Sequence, residues 1–342
     1  MNNDNLKVTT STKLITENED YDVIIVDESH KLSRRGSKQH PTFNTVYNLS
    51  RYSDCQSHLE ILQILAPQII LMYDVLQAIR PANIPRKEFA SLTATYEKRF
   101  LKTQFRIQSP KGKNYTSNDY INGIKWLLYK DTGLLSSQTT NFDPYFNREV
   151  FNDKTEDAYF GYFTSEPLNN MIQWLDDDKN INPEHVNRIL AGLIEDWRQE
   201  HGKDAAIFQF FEGSIKRRWN WTQENWINSK DANVDYKEDA EEQIGSVFAV
   251  QGIDLNKVGV LIGEDLRLDK DGHLVADPDK FFNVNGKFNS DDMVDPKNKF
   301  EFTLFVLNIY YVLMTRGIDG IRLGFWRNGT FQNYMEQALD IK

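Results

Sequence analysis

The chain has 342 residues, 40% hydrophobic and 13% aromatic, enough apolar side chain for more than one packed core. Its 40 basic and 50 acidic residues leave a net charge of −10, which excludes a uniformly cationic nucleic-acid binder but leaves room for a local basic groove. One cysteine, Cys55, and six scattered histidines exclude a disulfide framework and a zinc-type ligand set, so Cys55 reads as a structural thiol.

The polar start "MNNDNLKVTT" has no signal-peptide pattern. The apolar stretches at 61–79 and 302–314 are too short, or are interrupted by Pro67, Asp74 and Gln77, to span a bilayer. The expectation is a soluble, cytoplasmic protein with no membrane partner.

In chain order, "DVIIVD" (22–27) and "QIILMY" (68–73) read as short, fully buried parallel strands, with "HLEILQILA" (58–66) a helix between them. Strand, helix, strand implies a doubly wound sheet. A second block starts with "SLTATYEKRFLKTQFRIQS", followed by a helix at 117–129, a polar loop at 139–157 and an apolar run at 158–165. "NPEHVNRILAGLIEDW" (182–197) predicts a helix, with Asn182 as N-cap and Pro183 in the first turn. Strands are expected at 246–250, 258–263 and 320–326, and a buried helix at 302–314. Asp271-Gly272 and Asn285-Gly286 read as hairpin turns. An EF-hand reading around Gly272 fails, because Arg267 and Pro278 would occupy ligand positions.

Six places carry candidate chemistry. Asp27 and Glu28 end the first strand, where open α/β sheets bind ligands. One carboxylate there suits magnesium and its neighbour could polarise an attacking water, while a plain surface turn is the alternative. The second strand ends in Asp74, with Gln77 three residues on; the pair reads as a phosphate sensor or as a helix cap. Arg106 follows Gln104 and Phe105, and Arg316 follows Thr315; each arginine is a fork of donors suited to phosphate or a surface ion-pair partner. Gln251, Gly252 and Asp254 lie between two predicted strands, where Gly252 allows close backbone approach and Asp254 could bind a ribose hydroxyl. Finally, Lys216, Arg217 and Arg218 adjoin Trp219 and Trp221: either a single-strand groove of cations and stacking rings, or core tryptophans beneath a solvated basic face.

Two acids at a strand end, Asp-x-x-Gln, Gln-Phe-Arg, Gln-Gly-x-Asp and Thr-Arg-Gly occur in the order of superfamily 1 helicases. More closely, the chain resembles the Schlafen-group-3-like DNA/RNA helicase family, from about residue 20 onward. "NRILAGLIEDW", "IKRRWNWTQENW", "IGSVFAVQGIDLNKVGVLIGEDL" and "YYVLMTRGIDG" carry that likeness. The resemblance implies two RecA-like domains with doubly wound parallel sheets, 1–100 and 101–342, the first incomplete at its N-terminus. It implies ATP with magnesium as cofactor, Asp27 holding the metal through water and Glu28 as catalytic base. Gln77 would sense the terminal phosphate and Arg106 and Arg316 would stabilise its developing charge. Gln104, Phe105, Asp74 and Thr315 would line the nucleotide, and Gln251, Gly252 and Asp254 would couple it to the nucleic acid.

The departure is the Gly-x-x-x-x-Gly-Lys-Ser/Thr loop, which the sequence does not contain. Two expectations follow: a truncated ATPase, which we favour, or half of a split one whose upstream partner polypeptide supplies the loop. Either way hydrolysis by this chain alone should be weak. Single-stranded DNA or RNA is the expected partner, and a non-hydrolysing binding remnant is the rival reading. Nuclease action by Asp27 and Glu28 is the weakest alternative, since no third acid lies close in sequence.

Overall fold

A computed structural model describes residues 6–36, 45–102, 106–108, 110–196, 207–220, 243–250 and 253–342. The chain forms two compact units, Met1–Phe100 with Asn285–Phe288, and Leu101–Val284 with Asn289–Lys342. No helix among the described residues is long and apolar enough to cross a membrane.

In the first unit, α1 (Ser11–Glu17) is opened by Thr10, whose hydroxyl accepts from the Lys13 amide, and is stopped by Asn18 in the left-handed region. After β1 (Val23–Val26), α2 (His58–Leu65) starts at a capping box formed by Ser57 and Glu60. It leads into β2 (Gln68–Leu71), and α3 (Arg86–Leu92) follows. β1 and β2 pair in parallel, Val23 opposite Gln68 through Val26 opposite Leu71. Ile15, Ile24, Leu59, Leu62, Leu65 and Phe89 share the core on one face of this pair, and each fully buried side chain of this kind contributes about 1.5–3 kcal/mol. Cys55 is buried in the same cluster.

The strands are not buried on both faces, as their unbroken apolar runs suggest. Val23, Ile25, Ile70 and Met72 all stay exposed, Ile25 at 65%. Strand side chains alternate between faces, and the packed core of this unit takes only the set that includes Ile24.

In the second unit, α4 (Ser117–Tyr129) and the single turn α5 (Glu149–Asn152) precede β3 (Phe160–Phe163), α6 (Pro167–Ile181) and β4 (Arg188–Ala191). A small sheet follows, made of β5 (Phe210–Glu212), β6 (Ile215–Trp219) and β7 (Gln243–Ile244). Then come the one-turn α7 (Val247–Val250), β8 (Leu255–Ile262), β9 (Leu266–Leu268) and β10 (Leu274–Ala276). The unit closes with α8 (Pro296–Met314), β11 (Gly317–Phe325) and α9 (Gly329–Leu339). Among the described residues the main sheet has the order β3-β11-β8-β4, every neighbour parallel. This is an α/β protein with parallel sheets, compatible with the RecA-like architecture.

Two features seat the helices. α6 lies so close to the sheet that a Cβ on Gly324 would stand 2.6 Å from Pro167 and 2.8 Å from Met171. α8 is apolar nearly all round, and from Phe302 to Met314 all but Phe305 are buried, as a helix without a polar face must be. Asp295 caps its start, with Pro296 in the first turn.

Three local expectations fail. Residues 182–197 do not form a helix: Asn182 ends α6, and Arg188–Ala191 is strand β4. A short apolar run reads either way by periodicity, and here the partners decide. β8 pairs one side of β4, and the other exchanges Ala191 N to Gly245 O and Gly245 N to Ile189 O, both 3.0 Å. Asp178 fastens the approach, accepting from Asn187 and His185 and pairing with Lys257. Burial pushes its carboxyl up, but Asn187, Lys257 and His185 outweigh that and hold it at about 2. Residues 247–250 form α7 where a strand was expected over 246–250, and Gln243 and Ile244 take the pairing place beside β6. Asn285-Gly286 closes a short 3-10 turn, Val284–Gly286, whereas Asp271-Gly272 does join an antiparallel pair, β9 and β10.

Candidate functional site

In the first unit the two strands end side by side. The ladder runs on past them: Met72 N donates to Val26 O and Ser29 N to Met72 O, at 2.9 and 2.8 Å. Asp27-Glu28 and Asp74-Gln77 therefore lie at the same C-terminal edge of one parallel pair. Asp27 is exposed, and its Oδ1 accepts from the Glu28 amide at 2.9 Å. Glu28 has φ +53, a left-handed conformation that costs a non-glycine residue and re-aims its side chain. The carboxylate turns onto its own loop, with Oε2 3.0 Å from His30 Nε2 and 3.4 Å from Lys31 Nζ. The His30 contact is close, though poorly aligned for a hydrogen bond. His30, then Lys31, holds the Glu28 carboxyl down at about 2 against the opposing effect of burial.

Asp74 fills the capping role, with Oδ1 accepting from the Leu76 amide at the start of the 3-10 turn Val75–Gln77. Its other oxygen accepts from Gln77 Nε2 at 2.9 Å, so acid and amide hold each other. Oxygen ligands suit magnesium, which needs only one or two carboxylates beside phosphate and water. The exposed Asp27 carboxylate at a strand end fits that requirement. Among the described residues no three His, Cys, Asp or Glu side chains gather as a metal cage.

In the second unit Arg106, Asp254, Thr315 and Arg316 meet at the N-terminal ends of β8 and β11. Arg106 pairs with Asp254, Leu255 N donates to Arg316 O, and Gln108 N donates to Ile318 O. Arg316 is 3% exposed. Its guanidinium donates to Val312 O at 3.2 Å and to Val250 O at 3.4 Å, while Thr315 Oγ1 donates to Tyr311 O at 2.8 Å. Two tyrosines bracket this turn, Tyr120 donating to Met314 O and Tyr159 to Gly317 O, each at 2.8 Å. Their rings meet edge-on with centroids 4.7 Å apart. The sequence singled out neither tyrosine, because the partners are 194 and 158 residues away.

Trp219 lies in the core, 2% exposed, with its ring 5.7 Å from Phe210. It offers no face to a base. Lys216 is exposed, Arg217 half-buried and Arg218 buried. Gln104, Phe105, Trp221, Gln251 and Gly252 lie outside the described residues. His30 and Lys31 were also missed, though both follow Glu28 directly in the sequence "DESHK" (27–31).

The parallel sheets, with Asp27 and Asp74 just past the ends of one strand pair, make this an α/β protein compatible with the RecA-like class. The model of the family described as Schlafen group 3, DNA/RNA helicase domain, matches residues 1–326, and the chain belongs to that family. No curated protein matches the chain at a significant level.

Proposed function

We propose that this chain is the catalytic-base and arginine-bearing part of a nucleic-acid-dependent ATPase, working in the cytoplasm on single-stranded DNA or RNA, whose hydrolysis is weak when the chain stands alone. The observation that carries the reading is the shared strand-end edge of Asp27-Glu28 and Asp74-Gln77. When bound, magnesium with ATP would supply the phosphoryl group and its charge neutralisation. Asp27 would hold the ion through water, and Glu28 would orient the attacking water. Asp74 keeps Gln77 in place to sense the terminal phosphate. Arg106 and Arg316 would answer its developing charge, a role typically worth ~10³–10⁵ in rate. Asp254 steadies Arg106, and Thr315 ties the turn that carries Arg316.

A carboxyl held at about 2 is a feeble proton acceptor at neutral pH. Glu28 gains basicity when it leaves His30. The sequence has no Gly-x-x-x-x-Gly-Lys-Ser/Thr loop, so the backbone cradle for the phosphates must come from elsewhere. The exposed apolar row of Val23, Ile25, Ile70 and Met72 supports an upstream polypeptide partner that covers this face.

A second reading, a non-hydrolysing module that binds nucleic acid or a protein, is favoured by Arg316 being buried and bonded within its own unit. Phosphate release by the purified chain, with magnesium and single strands, separates the two. Background rates, with a gain when a loop-bearing polypeptide is added, are the expected result. Brisk magnesium-dependent turnover by the chain alone, lost in Glu28→Gln, would refute the weak-hydrolysis half of the proposal. No turnover with any added polypeptide would favour the binding module.

A further inference from the structure

We infer that the outer face of the β5–β6 hairpin is a single-strand nucleic-acid contact, with Phe211 as the base-stacking residue and Lys216 as the phosphate contact. This rests on the reading that the chain engages nucleic acid, and it places the stacking on Phe211 rather than on Trp219.

The hairpin turns at Gly213-Ser214, where Gly213 has φ +57, the conformation a two-residue hairpin turn demands of its first central position. The register sets Phe210 opposite Arg217 and Phe211 opposite Lys216. Directly opposed residues share a face, and successive ones alternate. Phe210 and Trp219 thus go inward, where Phe210 also meets Trp326 at 5.2 Å. Phe211 and Lys216 go outward together. Phe211 is 59% exposed, so its ring is open to a stacking partner.

The cations on this face are organised around an aromatic ring. Lys216 Nζ lies 4.3 Å and the Arg218 guanidinium 4.8 Å from the Phe208 centroid. That arrangement fixes the Lys216 ammonium over Phe208, while its backbone position stands opposite Phe211. The one acid of the hairpin, Glu212, is removed from the face. Its carboxylate accepts from the Leu168 and Asn169 amides at the start of α6, at 3.3 and 2.7 Å. What remains is an exposed ring beside a positioned cation, on a chain whose net charge is −10. A polyanion whose repeating unit also carries a stackable π-face matches both features, and an unpaired strand presents both at once.

Binding of the full chain to a fluorescein-labelled oligothymidylate, followed by anisotropy across a salt series, tests the inference. Phe211→Ala should weaken binding about tenfold, within the range a stacked base is worth, while Phe211→Trp keeps it. Lys216→Ala should lower the salt slope by about one. An abasic strand of equal length should bind the wild type more weakly and be indifferent to Phe211→Ala. Unchanged affinity in both Phe211→Ala and Lys216→Glu, with wild-type binding intact, overturns this site and leaves the nucleic-acid reading standing. Equal affinity for abasic and normal strands reduces the face to a polyanion contact and overturns the stacking role. Failure of the wild type to bind any strand overturns the broader reading, and this inference with it.

Discussion

His30 Nε2 lies 3.0 Å from Glu28 Oε2, the two residues sharing one turn that begins with Glu28 in the left-handed region. His30 is buried and Glu28 half-buried, so the pair is partly shielded from water. The contact lowers the Glu28 carboxyl from 4.5 to about 2, so its stabilising effect is present above about 4.5 and lost as pH falls toward about 2. In His30→Ala, which leaves Lys31 in place, the Glu28 titration followed by carboxyl NMR should move up toward 4.5. A midpoint that stays put would show that Lys31 and the loop, not the imidazole, hold the carboxylate.

Asp265 has the opposite problem. It is fully buried and accepts from Tyr310 Oη at 2.6 Å, while its other oxygen has no hydrogen-bond partner. Burial drives its carboxyl up to about 7, more than Tyr310 can offset. The folded state favours the neutral acid, so this group's contribution to stability is fully present below about pH 4 and is lost as pH rises through about 7. A displacement of that size is worth on the order of 4 kcal/mol across the window. Asp265→Asn should remove that slope in urea melts taken from acid to neutral pH; an unchanged slope would place the titration elsewhere.

Gly324 lets α6 sit on β11. Gly324→Ala forces a methyl to 2.6 Å from Pro167, and overpacking of this kind costs about 1–3 kcal/mol. Gly329 has open space where its Cβ would go, so Gly329→Ala should be neutral or slightly stabilising. Equal urea midpoints for the two variants would contradict the packing described.

Trp219→Ala should cost about 3–5 kcal/mol, the usual range for emptying an aromatic site in a core. Phe211→Ala, on an exposed strand face, should change stability by less than about 0.5 kcal/mol. Thermal melts of both variants separate the two roles.

Several elements were legible because their causes are local. The helix at 117–129 carries its own capping box, Thr116 with Asp119, and apolar residues at helical spacing. The runs at 23–26 and 68–71 are β-branched and bounded by polar residues, and they pair. At the candidate site, Asp74 could be read as a cap from spacing alone. The run 188–191 could not be read, because a four-residue apolar stretch becomes strand only when β8 and Gly245 pair with its two sides. Core burial of Trp219 was one of two readings open in the sequence, and the exposure of Phe211 was in neither: which rings go inward depends on the hairpin register, set by the Gly213-Ser214 turn.

By itself the sequence determined the parallel α/β class and the ordered motifs that mark the family, since the strand runs and each motif are written within a few neighbouring residues. Only the tertiary structure decided that Glu28 faces His30, that Arg316 is held by Val312 and Val250, and that Val23, Ile25, Ile70 and Met72 stay uncovered. Burial and side-chain partners depend on which distant segments pack together, and no local pattern encodes that choice.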